Sequence, residues 1–208
     1  MKNVVLTLKN ISKNFDDFIA VHDVNLEVEE KTIVGIIGRN GSGKTVLLKM
    51  IAGLYKETAG IIDYHGYKVI KDYGILIDTG FLENETGFEN LKILSLIKNE
   101  IDDNKIEETM KLVRLDPLNE TRYKYYSTGM KQKLKLAQVL MEDSKILILD
   151  EPFNGLDKDS VLYFRDMLKK LKADGKTIIL TSHYQEDIDD LCDEVYEMLD
   201  GKLSIYKK

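Results

Sequence analysis

Short runs of aliphatic residues recur along the chain, and most of them are followed by apolar positions at helical spacing. Residues 33–37, 146–149 and 177–181 are such runs, and they predict strands that are buried on both faces. Residues 75–77 form a shorter run of the same kind. Strands that alternate with helices are typical of a mainly parallel sheet. The pattern therefore predicts an α/β fold whose ligands bind at the carboxyl ends of the strands.

Alternation of apolar and polar residues marks the first part of the chain and predicts a second, antiparallel layer. The predicted strands are an edge strand at 4–8, a strand at 24–28, and a pair at 60–64 and 67–70 that turns at His65-Gly66. Residues 11–18 resemble a loop. We therefore expect a small antiparallel β-layer beside the main sheet.

The pattern changes between residues 84 and 140, where amphipathic helices replace the strands. This segment predicts a helical insertion in the core rather than a separate domain. The chain is then one domain, 1–208, with the core and β-layer in 1–78 and 141–208 and an α-helical subdomain in 79–140. The predicted helices are 88–98, 103–115, 129–140, 158–174 and 184–192, and a hairpin at 194–198 and 202–206 closes the chain.

The composition limits the possible functions. Apolar residues make up 43% of the 208 residues, which is enough for a sizeable core. A net charge of −6 argues against general affinity for nucleic acid or anionic lipid. The single cysteine, Cys192, cannot form an internal disulfide and suits a reducing compartment. No signal peptide is recognisable and no apolar run approaches the roughly twenty residues that span a bilayer, so we expect any membrane part to be another chain.

A glycine-rich motif joins the first buried strand to the following helix. The stretch Gly38-Arg39-Asn40-Gly41-Ser42-Gly43-Lys44-Thr45 fits the phosphate-binding P-loop pattern G-x-x-x-x-G-K-[ST]. At such a junction, backbone N–H groups and the positive end of the helix dipole converge on an anion. Lys44 would reach the β- and γ-phosphates, and the Thr45 hydroxyl would bind Mg²⁺. The alternative is a plain glycine turn, but the motif and both flanks favour nucleotide binding.

Three further polar residues follow buried strands. Asp150 and Glu151 end the strand at 146–149, where one carboxylate can hold Mg²⁺ through water while the other polarises the attacking water. The alternative is a solvated strand end. His183 follows the strand at 177–181 and is predicted to contact phosphate, the alternative being a surface or core histidine.

A polar helix start at Ser127 allows two interpretations. Ser127 is a natural N-cap for the helix that follows it, and capping alone would explain its presence. The other interpretation is a second anion site formed by the helix N-terminus. The residues themselves leave both interpretations open.

In this order, the motifs resemble those of the ATP-binding subunit of an ABC transporter, from about residue 4 to the end of the chain. Residues 38–45 resemble the Walker A motif, and residues 146–151 resemble Walker B with its catalytic glutamate. Residues 127–130 are similar to the signature loop and 154–157 to the D-loop, while His183 occupies the position of the switch histidine. Phe15 aligns with the aromatic residue that stacks on adenine.

The resemblance implies ATP as substrate, Mg²⁺ as cofactor and hydrolysis at the γ-phosphate. Glu151 would be the general base or water-polarising residue, Lys44 and His183 would stabilise the γ-phosphate, and Thr45 and Asp150 would hold Mg²⁺. The residues implied to bind the nucleotide are Phe15, Gly38, Asn40, Gly41, Ser42, Gly43, Lys44, Thr45, Val46, Ser127 and Gly129.

The resemblance also implies a two-lobed fold and a head-to-tail dimer. Each ATP would lie between the Walker A motif of one chain and the signature helix of the other, which favours the anion-site interpretation of Ser127. The dimer would form between identical chains or with a second ATP-binding subunit. Its further partner would be an integral membrane transporter subunit at the cytoplasmic face of the cell membrane, and no nucleic-acid partner is expected.

Three positions depart from the usual family pattern. The signature Ser-Thr-Gly-Met resembles the variant of bacitracin- and lantibiotic-type export ATPases. Val46 replaces a second hydroxyl that touches phosphate, a loss worth about 0.5–1.5 kcal/mol of binding. Asp78 stands where the family has the Q-loop glutamine, and as a carboxylate it can also bind Mg²⁺. We hypothesise that Asp78 tunes the coupling between ATP and the membrane partner.

The resemblance leaves two rival functions to weigh. One is a soluble ABC-type ATPase that acts on a ribosome, DNA or a protein assembly, although such proteins normally carry two cassettes or long coiled coils. The other is a nucleotide-binding switch that barely hydrolyses, but the presence of both Glu151 and His183 argues for turnover. We therefore predict the ATP-hydrolysing subunit of a transporter, with export favoured over import.

Overall fold

The computed structural model of the protein describes residues 3–77, 80–98, 101–183 and 188–207. The strands are β1 (Val4–Phe15), β2 (Phe18–Glu29), β3 (Ile33–Ile37), β4 (Ala59–Asp63), β5 (Tyr73–Leu76), β6 (Ile146–Leu149), β7 (Thr177–Ser182), β8 (Glu194–Leu199) and β9 (Lys202–Lys207). The helices are α1 (Lys44–Ile51), α2 (Val69–Asp72), α3 (Gly87–Lys98), α4 (Asp103–Leu112), α5 (Thr128–Met141) and α6 (Lys158–Ala173). None of these helices has both the length and the apolar character needed to cross a membrane.

The main sheet has six strands in the order β5-β6-β7-β3-β8-β9. The first five are parallel, and β9 joins the edge as the antiparallel arm of the closing hairpin. Every residue of β3 and β6 is buried, in agreement with their unbroken aliphatic sequences. The predicted α/β class with a mainly parallel sheet is therefore confirmed. Because β6, β7 and β3 are neighbours, the polar residues that follow them meet at one edge.

The antiparallel β-layer has the strand order β2-β1-β4. The prediction of an edge strand at 4–8 followed by a loop is wrong, because β1 is the central strand and continues to Phe15. Its pairing with β2 shifts register between Leu8 and Ile11, and Asn10 between them has a left-handed φ of 53°. This bulge interrupts the alternation of buried and exposed residues, so the second half of the strand lost its periodic signal.

The second strand of the pair predicted at 60–64 and 67–70 is also absent. The turn at residues 64–67 forms as expected, with the Tyr67 N–H bonded to the Tyr64 carbonyl at 2.9 Å, but the chain then makes the single helical turn α2. Asp72 closes this turn, since its N–H donates to the Lys68 carbonyl at 2.7 Å and its carboxylate accepts from the Lys68 N–H at 2.9 Å. The apolar Ile70 is left 87% exposed.

Helices α3, α4 and α5 form the predicted insertion and pack against one another and the edge strand β5. Helix α4 ends at Leu112 rather than Leu115, because Arg114 adopts a left-handed φ of 58° and the Leu115 N–H bonds back to the Met110 carbonyl. Helix α5 begins as predicted, with Ser127 as its cap. The helix predicted over 184–192 falls partly on 184–187, which lie outside the described residues.

Candidate active site

The loop between β3 and α1 has the backbone that a phosphate cradle needs. Gly38, Gly41 and Gly43 have φ values of 155°, 81° and 107°, which residues with a Cβ rarely adopt. A Cβ on Gly38 would also lie 2.4 Å from the Met198 carbonyl oxygen, and one on Gly43 would lie 2.4 Å from the Ala20 carbonyl oxygen. Glycine is therefore required here both by conformation and by close backbone approach.

Lys44 begins α1 and its side chain is folded back onto the loop. Its Nζ donates to the Gly38 carbonyl at 2.7 Å and to the Arg39 carbonyl at 3.2 Å. The same Nζ lies 3.7 Å from Glu151 Oε1. The lysine is 5% exposed, so its charge is satisfied by the loop and by one carboxylate at the mouth of the site.

Asp150 joins the P-loop to the end of the sheet. Thr45 Oγ1 donates to Asp150 Oδ2 at 2.7 Å, and Thr181 Oγ1 donates to Asp150 Oδ1 at 2.6 Å. The structure thus brings together Thr45 and Asp150, which the sequence proposed as partners at one metal. Thr181 was not predicted as a site residue, although a hydroxyl near the end of the strand beside β6 is a usable signal.

The Thr45 and Asp150 pair fits a magnesium ion that is shared with a nucleotide. Both supply hard oxygen atoms, and Mg²⁺ is usually held by one or two carboxylates together with substrate phosphates. In the part of the chain that the structure describes, no group of three or more histidine, cysteine or acidic residues could hold a metal by itself. Asp78, the other predicted ligand, lies outside the described residues.

Glu151 and His183 form the second polar pair of the site. His183 Nδ1 lies 2.8 Å from Glu151 Oε2, and the two side chains are 27% and 19% exposed. Glu151 has a left-handed φ of 49°, and its N–H donates to Thr181 Oγ1 at 2.9 Å. The end of β7 therefore holds Glu151 at two points, its backbone N–H and its carboxylate, while the carboxylate remains partly exposed.

These groups line a cleft of about 390 Å³ in front of the P-loop. Ser42 Oγ is buried beside it and has no hydrogen-bond partner among the described residues, as expected for a polar atom whose partner is a bound anion. Val46 presents methyl groups where the family pattern has a hydroxyl. The residues that line the cleft are Phe18, Ala20, Asn40, Gly41, Ser42, Gly43, Lys44, Thr45, Val46, Glu151, Asn154 and His183.

The predicted adenine contact, Phe15, is not among the residues that line this cleft. Its ring meets Tyr55 edge-on with the centroids 5.6 Å apart, and Lys13 Nζ lies 5.0 Å from its centroid. The aromatic side chain in the cleft is Phe18, which is 62% exposed and which the sequence analysis did not single out. Because both residues flank the β1–β2 turn, their positions in the sequence could not show which of the two lies in the cleft.

Ser127 and Gly129 do not line the cleft of their own chain. Ser127 caps α5 by accepting the Met130 N–H at 3.2 Å, so its capping role is observed directly. A Cβ on Gly129 would lie 3.2 Å from the Gly155 carbonyl oxygen, which places the helix start against the loop after β6. The structure therefore does not bring these two predicted residues to the P-loop cleft of their own chain.

The chain belongs to the ABC transporter family, since the family model described as ABC transporter matches residues 21–154. It is 38% identical to the uncharacterised ABC transporter ATP-binding protein YybJ of Bacillus subtilis, with 98% of this chain and 99% of that protein covered. It is 35% identical to the bacitracin transport ATP-binding protein BcrA of Enterococcus faecalis, with 96% and 68% covered. The predicted resemblance to ABC ATP-binding subunits is thereby confirmed.

The fold agrees with solved ABC cassettes. The dimeric structure of MJ0796, described as a bacterial ABC transporter cassette, matches with a TM-score of 0.88 at 23% identity, and 97% of this chain and 98% of that chain are covered. The P-loop core, the antiparallel layer and the inserted helices are thus the architecture of an ABC ATPase. The chain is therefore an ABC transporter ATP-binding protein.

Proposed function

We propose that this protein is the ATP-hydrolysing subunit of an ABC transporter that exports its substrate through a separate membrane subunit. The observation that carries the proposal is the placement of the Glu151–His183 pair and the Thr45–Asp150 pair around one P-loop cleft. Export is favoured by the similarity to a bacitracin transport protein and by the Ser-Thr-Gly-Met signature. The dimer and its membrane subunit would meet at the cytoplasmic face of the cell membrane.

The nucleotide phosphates would lie along the P-loop N–H groups, with Ser42 Oγ gaining its missing partner there. Lys44 would exchange the Gly38 and Arg39 carbonyls for phosphate oxygens, a change from neutral to charged acceptors that strengthens its hydrogen bonds. Thr45 and Asp150 would hold Mg²⁺, which when bound neutralises charge on the β- and γ-phosphate oxygens.

Glu151 would orient a water molecule and accept its proton as the water oxygen bonds to the γ-phosphorus. The bond from that phosphorus to the bridging oxygen of ADP breaks, and the products are ADP and inorganic phosphate. His183, 2.8 Å from the Glu151 carboxylate, would hold the carboxylate in place and face the γ-phosphate.

The nucleotide site would be completed by a second chain. Ser127 and Gly129 lie at the N-terminus of α5, where free N–H groups and the helix dipole favour an anion. We infer a head-to-tail dimer, formed with an identical chain or a second ATP-binding subunit, in which α5 of one chain meets the ATP held by the other. Within each chain, residues 79–140 would form the α-helical subdomain.

Glu151→Gln tests this proposal. General-base catalysis contributes about 10²–10⁴-fold, so we expect ATP turnover with Mg²⁺ to fall at least about a hundredfold. ATP binding should persist, and light scattering should show the mass doubling when Mg-ATP is added. Glu108→Gln makes the same change on the exposed face of α4 and should leave turnover unaltered. Turnover close to that of the unchanged protein in Glu151→Gln would refute the assignment.

A further inference from the structure

The backbone of Glu151 is held in an unfavourable conformation. Its φ of 49° is left-handed, which residues with a Cβ rarely adopt because the side chain crowds the following carbonyl. Such conformations persist where neighbouring contacts impose them, and they concentrate at functional sites. The contacts that impose this one therefore also determine where the Glu151 carboxylate points.

Both polar groups of the Glu151 backbone are bonded to other parts of the fold. The N–H donates to Thr181 on β7, as described above. The carbonyl accepts from the Asn154 N–H at 3.2 Å and from Gln132 Nε2 at 3.2 Å. The same Gln132 nitrogen also donates to the Pro152 carbonyl at 2.9 Å. One amide thus bonds two successive carbonyls of the strained turn.

Gln132 belongs to α5, in the inserted helices, and it is only 7% exposed. A buried amide on an otherwise apolar helix face is retained when its hydrogen bonds are made, and here they are made to the loop after β6. The two parts touch at a second point, because a Cβ on Gly155 would lie 2.5 Å from Thr128 Cγ2. The loop that carries Glu151 therefore rests directly on the start of α5.

We propose that Gln132 is a positioning residue for ATP hydrolysis. Its amide fixes the turn at Glu151 and Pro152 and so keeps the Glu151 carboxylate beside His183 and the P-loop. The inference rests on the proposed function, since it requires Glu151 to act on the attacking water. Gln132 itself is not among the residues that line the cleft of its own chain.

Gln132→Met keeps the length and volume of the side chain and removes the amide. Displacing a catalytic group by about 1 Å costs up to about a hundredfold, so we expect kcat to fall by about 10–100-fold. The KM for ATP should stay within about twofold, because no nucleotide contact is removed. Gln138→Met is the matched control: it makes the same change on the same helix, at a side chain whose Oε1 has no hydrogen-bond partner within the described part of the chain, and should leave kcat unaltered. An unchanged kcat in Gln132→Met would overturn the proposal.

A double-mutant cycle separates positioning from general damage to the fold. In single-turnover assays, Gln132→Met should slow hydrolysis by the normal enzyme but leave the residual rate of Glu151→Gln nearly unaltered. The reason is that both substitutions remove the same function, the correctly placed Glu151 carboxylate. Equal slowing in both backgrounds would overturn the proposal while leaving the role of Glu151 intact. Full activity of Glu151→Gln alone would instead refute the proposed function. If Gln132→Met does not fold, Gln132→Asn, which retracts the amide by one methylene, replaces it in the same cycle.

Discussion

Thr181 makes two hydrogen bonds that Val at the same position could not make, and this allows a quantitative prediction. The Thr181 side chain is fully buried. Its hydroxyl donates a hydrogen bond to Asp150 Oδ1 at 2.6 Å and accepts one from the Glu151 N–H at 2.9 Å. Thr181→Val preserves the shape and deletes both bonds. The bond to the charged carboxylate is worth about 1.5–3 kcal/mol, and the orphaned N–H costs about 1–3 kcal/mol. Because Asp150 is only partly buried, water can replace part of the lost hydrogen bonding. We therefore expect the free energy of unfolding to fall by about 2–4 kcal/mol.

Thr181→Ser is the matched control, because it keeps the hydroxyl and removes one methyl group. Its cost should be about 1 kcal/mol, the value of one buried methyl group. Urea denaturation followed by circular dichroism measures both variants. With a urea dependence of about 2–3 kcal/mol per M, the midpoint should fall by about 1 M for valine and by less than half of that for serine.

The same pair of variants should differ in ATP turnover. Thr181→Val frees the backbone of Glu151 and one oxygen of Asp150, so turnover should fall by at least about tenfold, while Thr181→Ser should stay near the normal rate. If the serine variant were less stable and less active than the valine variant, packing of the methyl group would be the important interaction. The hydrogen-bond reasoning would then be wrong.

Two further predictions concern stability. In urea denaturation, Gly155→Ala should lower the free energy of unfolding more than Gly53→Ala does. Both glycines have a positive φ (75° and 69°), at which a Cβ costs about 1–2 kcal/mol. Of the two, only Gly155 would also place its Cβ against a side chain, 2.5 Å from Thr128 Cγ2. The bond from Lys176 lowers the pKa of Asp143, so its stabilisation is present above the ordinary value of 3.8 and is lost as pH falls through the folded pKa. Asp143→Asn, which tolerates the left-handed φ there, should cost about 0.2–1 kcal/mol at pH 7. The cost should shrink as pH falls below 3.8 and through the folded pKa, and a cost that stayed constant on acidification would contradict the reasoning.

The parts of the fold that could be predicted from sequence are those whose signal is local. Strands β3, β6 and β7 each contain a short buried run rich in aliphatic residues, and the P-loop is a contiguous motif between a strand and a helix. The meeting of Thr45 and Asp150 was also predictable, because parallel strands bring their carboxyl ends to one edge of the sheet. Strand β1 was misread because a bulge near Asn10 breaks the period of two on which strand prediction depends.

The parts that could not be predicted depend on contacts between distant segments. Gln132 on α5 contacts Glu151 only after the inserted helices fold back onto the core, and its own sequence neighbourhood is that of an ordinary helix. The left-handed φ of Glu151 likewise has no local cause, since glutamate has no preference for that conformation. Which of Phe15 and Phe18 lines the cleft is likewise not marked in the sequence, because the two residues stand on either side of the same short turn.

These distant contacts also bear on how the nucleotide site would be completed under the proposed function. The P-loop, Asp150, Glu151 and His183 meet at one edge of the main sheet, whereas the N-terminus of α5 packs beside Gly155 in the loop after β6. The two Gln132 hydrogen bonds tie α5 to the loop that carries Glu151, so the contacts that orient Glu151 also hold the start of α5 beside Gly155. Under the proposed function, the helix N-terminus that completes the site would therefore be supplied by a second chain.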